Sequence, residues 1–288
     1  MGQENTQQKE SASTCIEKQK RIDVIKKRMD HVVFYSGGVT SWATAKRVAA
    51  THGTGCLKLL FTDTLIEDTD LYRFLTESAR NVGGELIRIA EGRTPWEVFR
   101  DVRMLGNSRI DPCSRILKRE PAQKWIKNNY PNPSEVTLYI GMSWDEGHRA
   151  ERSTRFWKPY VVKAPLLEPP YLQKDQILKW VKREGIEPPR LYALGFSHNN
   201  CGGGCVKAGV SHFRHLLKVM PDVYAEWERN EEQIRQHLGK DVTILRHQVE
   251  NERHNITLAE LRQQPSDQCD LFDWGGCGCF STDGDEME

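Results

Sequence analysis

The sequence predicts an α/β fold built on a doubly wound parallel sheet, with a Cys-rich C-terminal region. Three observations carry this expectation. Short apolar runs at 32–35, 57–61, 85–90 and 136–141 alternate with segments whose apolar residues recur at helical spacing. The stretches between runs are long enough for crossover helices, and strands alternating with helices at this spacing form parallel sheets. Beyond about residue 195 the texture turns to Gly, Cys and His, followed by two charged helical segments and a Gly/Cys-rich end.

Residues 1–30 are polar, with Ile22, Ile25 and Met29 at helical spacing, which predicts a frayed tail leading into a short helix. The first strand, 32–35, runs into Ser36-Gly37-Gly38, and Trp42, Ala45, Val48 and Ala49 then mark a helix stopped by Gly53. A second strand at 57–61 precedes a helix carried by Leu71, Phe74, Leu75, Ala79 and Val82, and a third strand follows at 85–90. Thr94-Pro95-Trp96-Glu97 reads as a capping box with Pro at the first helical position. A helix over 116–127 leads to a strand at 136–141, and Ile177, Leu178, Trp180 and Val181 mark a helix ended by Gly185. The expected organisation is a polar lead at 1–30, a nucleotide-binding domain at 31–195 and a Cys-rich helical region at 196–288.

Across 288 residues, 41 basic and 40 acidic side chains leave a net charge of +1, so bulk charge singles out no partner. A hydrophobic fraction of 38% suffices for a sizeable core. No run of about 18 apolar residues predicts a membrane span. The polar start, MGQENTQQKESAST, does not read as a secretory signal, so the expected location is the cytoplasm. Eight cysteines in that setting read first as metal ligands or redox groups.

SGGVTS sits where the first strand hands over to the first helix. Gly37 and Gly38 permit a tight turn, while Ser36, Thr40 and Ser41 supply hydroxyls beside a helix N-terminus, which together suit a phosphate group. The alternative is an ordinary glycine turn with a Ser/Thr cap. The loop has neither G-K-[ST] nor the GxGxxG pattern.

In its wider context, FYSGGVTS followed by LLFTDTLIEDTDLYRF resembles the PP-loop ATP pyrophosphatase superfamily, whose fold is Rossmann-like (adenine nucleotide alpha-hydrolase-like). Within it the chain is most similar to the phosphoadenosine-phosphosulfate reductase family. The matching elements are the Gly loop, Asp63-Thr64, Cys113 with Leu117-Lys118 and Pro121, then Gly141 with Asp145, Glu146 and Arg149, and Leu191-Tyr192 with Gly195, His198 and Cys201. The resemblance implies a nucleotide held by Ser36, Gly37, Gly38, Thr40, Ser41, Asp63 and Thr64, with catalytic roles for Asp63, Lys118 and Arg149. Many relatives read SGGKDS, where this chain has Val39 and Thr40, so a phosphate-neutralising charge is expected from Lys46, Arg115, Lys118 or Arg149.

Cys201-Gly-Gly-Gly-Cys205 and Cys277-Gly-Cys279 are two thiol pairs among small residues. Two pairs suit either a tetrahedral Zn²⁺ or an iron–sulfur cluster. The resemblance adds Cys113, implying a [4Fe–4S] cluster on Cys113, Cys201, Cys205 and either Cys277 or Cys279. The other readings are Zn²⁺ on Cys201, Cys205, Cys277 and Cys279, and free thiols or a regulatory disulfide. His212 and His215 read as packed or solvated, and Glu226, Glu228, Glu231 and Glu232 as a charged helix exterior.

The implied cofactors are ATP or an adenylyl sulfonucleotide, Mg²⁺, and the cluster or Zn²⁺. The implied activity is ATP-dependent sulfur transfer to tRNA or DNA, for which Arg and Lys between Arg109 and Arg155 supply a basic patch. The alternatives are a phosphoadenylyl or adenylyl sulfate reductase giving sulfite, against which the absence of a C-terminal ECG-x-H element counts, and a non-catalytic nucleotide-binding protein. Expected partners are an adenine nucleotide, the nucleic acid, a sulfur donor or thiol reductant protein, and a second copy of the chain.

Overall fold

The computed structural model describes residues 29–249 and 252–264. Strand β1 (Asp30–Phe34) enters α1 (Val39–His52), which returns to β2 (Leu57–Asp63); α2 (Thr69–Val82) then leads to β3 (Glu85–Ala90). Helix α3 (Pro95–Asp101) opens on the expected capping box, with Thr94 and Glu97 bonded reciprocally. A short turn at Pro112–Ser114 and a wide π-type turn at Arg115–Arg119 precede α4 (Glu120–Asn129) and β4 (Val136–Tyr139). Helix α5 (Gly147–Phe156) and β5 (Val161–Lys163) complete the sheet. Five strands pair in parallel in the order β3-β2-β1-β4-β5.

This order reverses between β1 and β4, which places a crevice beyond the carboxyl ends of those two strands. Alternation along β1 explains the two layers. Val33 points to one face, packed against Trp42 and Val48 of α1 and Phe74 of α2; Val32 and Phe34 point to the other, against Ile126 of α4 and Trp157 after α5. Helix α6 (Lys174–Arg183) joins the first layer through Ile177 and Val181.

The short α7 (Arg190–Ala193) leads to the cysteine turn, then to α8 (Val210–Val219), α9 (Pro221–Leu238), the antiparallel β6 (Leu245–Val249) and β7 (Glu252–Ile256), and α10 (Leu258–Gln263). Phe213, Tyr224 and Trp227 build a separate core here that also takes in Trp96 and Phe99 of α3. The C-terminal region is therefore packed onto the α/β unit.

Three sequence expectations shift. The helix expected at 116–127 begins as the wide π-type turn, so Lys118 and Arg119 are buried at its inner side. β5 and the β6–β7 pair were not expected; β5 is only three residues long. Glu231 is not on a charged exterior: it is 1% exposed, and its carboxylate accepts from the backbone N–H groups of Ile244 and Leu258 at 2.9 and 2.6 Å. That buried carboxylate joins α9 to the strand and helix that follow. The expected helix before residue 29 lies outside the described residues.

Candidate functional site

The strand-to-helix turn at 36–38 forms one wall of a cavity of about 330 Å³ at the sheet's switch point. Gly37 takes φ of +75°, a left-handed conformation that a side chain would strain. The N-cap residue Gly38 has no side chain to cap α1, so the first-turn amides beyond Val39 remain for a ligand. Ser41 Oγ donates back to the Gly38 carbonyl at 2.8 Å, and Tyr192 places its hydroxyl 3.3 Å from the Val39 amide, which donates to it. Ser36, Gly38, Thr40 and Ser41 line this cavity, with Ile140 to Ser143 from the end of β4 opposite.

Three cationic side chains reach the same cavity: Lys118, Arg149 and Lys174. Arg149 pairs with Glu146, whose second oxygen accepts from the Ser143 amide and hydroxyl, both at 2.9 Å; the Arg149 Nε is buried without a hydrogen-bond partner. Lys174 lies 4.9 Å from the ring centre of Tyr192. Asn199, 2% exposed, donates from Nδ2 to the Gly37 carbonyl at 2.9 Å, while its Oδ1 is buried with no donor. A polar wall holding a helix start without a side-chain cap and three cations suits a ligand carrying phosphate groups.

Asp63 is placed differently. It is fully buried at the end of β2 and accepts from the Leu65 amide at 2.8 Å, the Tyr72 hydroxyl at 2.9 Å and Arg88 Nε at 2.8 Å. It organises the β2–α2 turn and is not in the cavity wall. Thr64 also faces elsewhere, bonding Glu67 at 2.9 Å. Glu67 carried no signal in the sequence beyond being one acid among 40.

A second, smaller cavity adjoins the first. Its lining includes Thr64, Asp111, Lys207 and Trp227 together with Cys113, Cys201 and Cys205, and Lys118 is common to both walls. The fold thus brings together three cysteines separated by up to 92 positions (205 − 113). Cys201 has φ of +53°, rare for a residue with a side chain, and the Gly204 backbone lies so close to Trp227 that an added Cβ would sit 2.3 Å from the indole. Burial, then the neighbouring Cys201 and Asp111, push the Cys113 thiol well above its ordinary range; Lys118 acts in the opposite direction.

Among the described residues, no group of three or more His, Cys, Asp or Glu side chains is arranged to hold a single metal ion. Cys277 and Cys279 lie outside the described residues. His212 and His215 are structural: their Nε2 atoms lie 2.7 Å from the carbonyls of Gly203 and Leu194, holding α8 to the cysteine turn and to the segment before it. No helix among the described residues is long and apolar enough to cross a membrane.

No protein-family model matches the sequence. It is 23% identical over 199 residues to an uncharacterized protein of Methanocaldococcus jannaschii, a match covering 68% of this chain and 40% of that relative's length. Among solved structures, it is similar to phosphoadenylyl-sulfate reductase from Candida auris in its phosphate complex, with a TM-score of 0.42 and 16% identity over 62% of this chain and 84% of that one. It is also similar to NH3-dependent NAD synthetase from Campylobacter jejuni in complex with nitrate, with a TM-score of 0.37 and 11% identity over 81% and 93% of the two chains.

Proposed function

We propose that the chain is an adenine-nucleotide-binding enzyme of the PP-loop type that activates an acceptor with ATP and then transfers sulfur to it. The observation that carries this reading is the shared wall: a phosphate-type cavity and a three-cysteine cavity meet at Lys118. In the first step an acceptor oxygen attacks the α-phosphorus of ATP, the bond to the β-phosphate oxygen breaks, and pyrophosphate leaves. The α1 amides and the Ser36, Thr40 and Ser41 hydroxyls hold the phosphates; Lys118 and Arg149 stabilise charge gathering on them. In the second step a sulfur nucleophile displaces AMP from the activated acceptor.

Mg²⁺ would be held at the nucleotide cavity by the Ser36 and Thr40 hydroxyls, hard oxygen donors of the kind it prefers. An iron–sulfur cluster fits the second cavity in donor type. Cys113, Cys201 and Cys205 would supply its thiolates, with the fourth ligand from Cys277 or Cys279. Such a cluster would supply iron able to hold sulfide or to pass electrons. Lys118 and Lys207 line the cavity and offset thiolate charge.

The run of Arg and Lys between Arg109 and Arg155 makes a nucleic acid our choice of acceptor. The test is pyrophosphate release by anaerobically prepared protein given ATP, Mg²⁺ and sulfide, with tRNA and with DNA in separate arms. Release that depends on one nucleic acid supports the reading. Sulfite formed from adenylyl sulfate or phosphoadenylyl sulfate with reduced thioredoxin, without ATP turnover, replaces it with the reductase.

A further inference from the structure

The wall between the cavities contains a carboxylate that neither cavity lining displays. Glu67 follows β2, and its side chain is 1% exposed. Its Oε1 accepts from Thr64 Oγ1 at 2.9 Å and lies 3.5 Å from Lys118 Nζ, itself 7% exposed. Its Oε2 accepts from the backbone N–H of Cys201. One buried carboxylate therefore touches the loop after β2, the lysine common to both cavities and the cysteine turn.

We propose that Glu67 is a positioning residue for both cavities, holding the Lys118 ammonium toward the nucleotide phosphates and the Cys201 turn in its left-handed conformation. Two physical arguments support this. Burying an ion pair strips both charges of their hydration, so an apolar filler would serve packing alone as well or better. Backbone strain such as the +53° φ of Cys201 persists only where surrounding groups over-determine it, and the Glu67 acceptor is fixed on that residue's own N–H. The Lys118 side arrives from the π-type turn at Arg115–Arg119, a local widening of a kind frequent at functional sites.

The Lys118 half of the inference rests on the nucleotide reading of the larger cavity; the Cys201 half does not. The experiment uses full-length protein and the variants Glu67→Gln, Glu67→Ala, Lys118→Met and the Glu67→Gln/Lys118→Met pair, with melting curves to verify folding. Calorimetry measures ATP and adenosine binding. Glu67→Gln weakens ATP about fivefold in the wild-type background, leaves adenosine unchanged, and adds nothing in the Lys118→Met background. Equal weakening in both backgrounds, a parallel loss of adenosine, or no change in ATP affinity overturns the Lys118 role.

Separately, the iodoacetamide alkylation rate of Cys201 is followed by peptide mass spectrometry. Glu67→Ala raises that rate, whereas Glu67→Gln, which retains a carbonyl acceptor for the Cys201 N–H, restores it. An unchanged rate in folded Glu67→Ala protein overturns the Cys201 role. Wild-type protein that binds no ATP removes the nucleotide reading together with the Lys118 role, leaving the alkylation result to decide the rest.

Discussion

Asn199 Nδ2 donates to the carbonyl oxygen of Gly37 at 2.9 Å, across a sequence separation of 162 residues. That bond fastens the segment leading into the cysteine turn onto the phosphate-type loop. The Oδ1 of the same Asn199 amide is left buried without a donor.

Replacing Asn199 by Asp sets a carboxylate oxygen against the Gly37 carbonyl in a site with 2% exposure. We expect a stability loss of roughly 1–3 kcal/mol, the usual range when a buried hydrogen bond is broken and its partner left unpaired. ATP affinity should fall at least tenfold. Urea denaturation and calorimetry measure the two effects; an unchanged ATP affinity would remove Asn199 from the binding wall.

Gly38→Val tests the loop itself. A Cβ at Gly38 would lie 3.2 Å from the Tyr192 hydroxyl, and the branched γ-carbons of valine crowd the oxygen that accepts from the Val39 amide. The backbone there has φ of −97°, so the substitution is not strained by conformation and the fold should survive. The expected result is a near-native melting curve with ATP binding lost. Retained binding would show that close approach to this backbone is not how the cavity holds its ligand.

Cys113→Ala distinguishes the metal readings. Protein purified without oxygen should be brown with about four irons per chain, and the variant should lose iron or bleach faster in air. A zinc centre on Cys201, Cys205, Cys277 and Cys279 would not respond to this change. Colourless wild-type protein with stoichiometric zinc would decide for that centre.

Acid should weaken the fold through His31 at the amino end of β1. Its ring stacks on His52 with centroids 4.0 Å apart, and Nδ1 lies 2.9 Å from the Tyr139 hydroxyl. Burial first, then the His52 charge and that of Lys163, lower its pKa below the ordinary 6.5; Asp30 opposes them. The unfolded chain therefore binds a proton that the folded chain resists. The contribution is intact above about pH 6.5, falls as pH drops below it, and levels off under the depressed folded value. His31→Gln should flatten the dependence of urea stability on pH between 7 and 5; an unaltered slope would exclude His31 as its source.

Local chemistry made much of the architecture legible in advance. Apolar runs of strand length, the helical spacing of Trp42, Ala45 and Val48, and the Thr94–Glu97 box depend on neighbours within a few positions, so β1 to β4 and the helices between them fall close to where the pattern puts them. The Gly loop was equally readable, since its turn and its helix start are both local. The sequence also singled out Cys201 and Cys205 as a thiol pair among glycines, and the family resemblance added Cys113. Tertiary structure alone decided that they line one cavity, that Lys118 stands in the wall of both, that Asp63 is occupied by Arg88 and Tyr72, and that Glu67 and Glu231 are buried anchors rather than surface charges. The physical reason is that a carboxylate looks the same in a sequence whether water or protein solvates it. Its role is set by which donors the folded chain brings within reach, and those donors lie up to 134 residues away for Glu67.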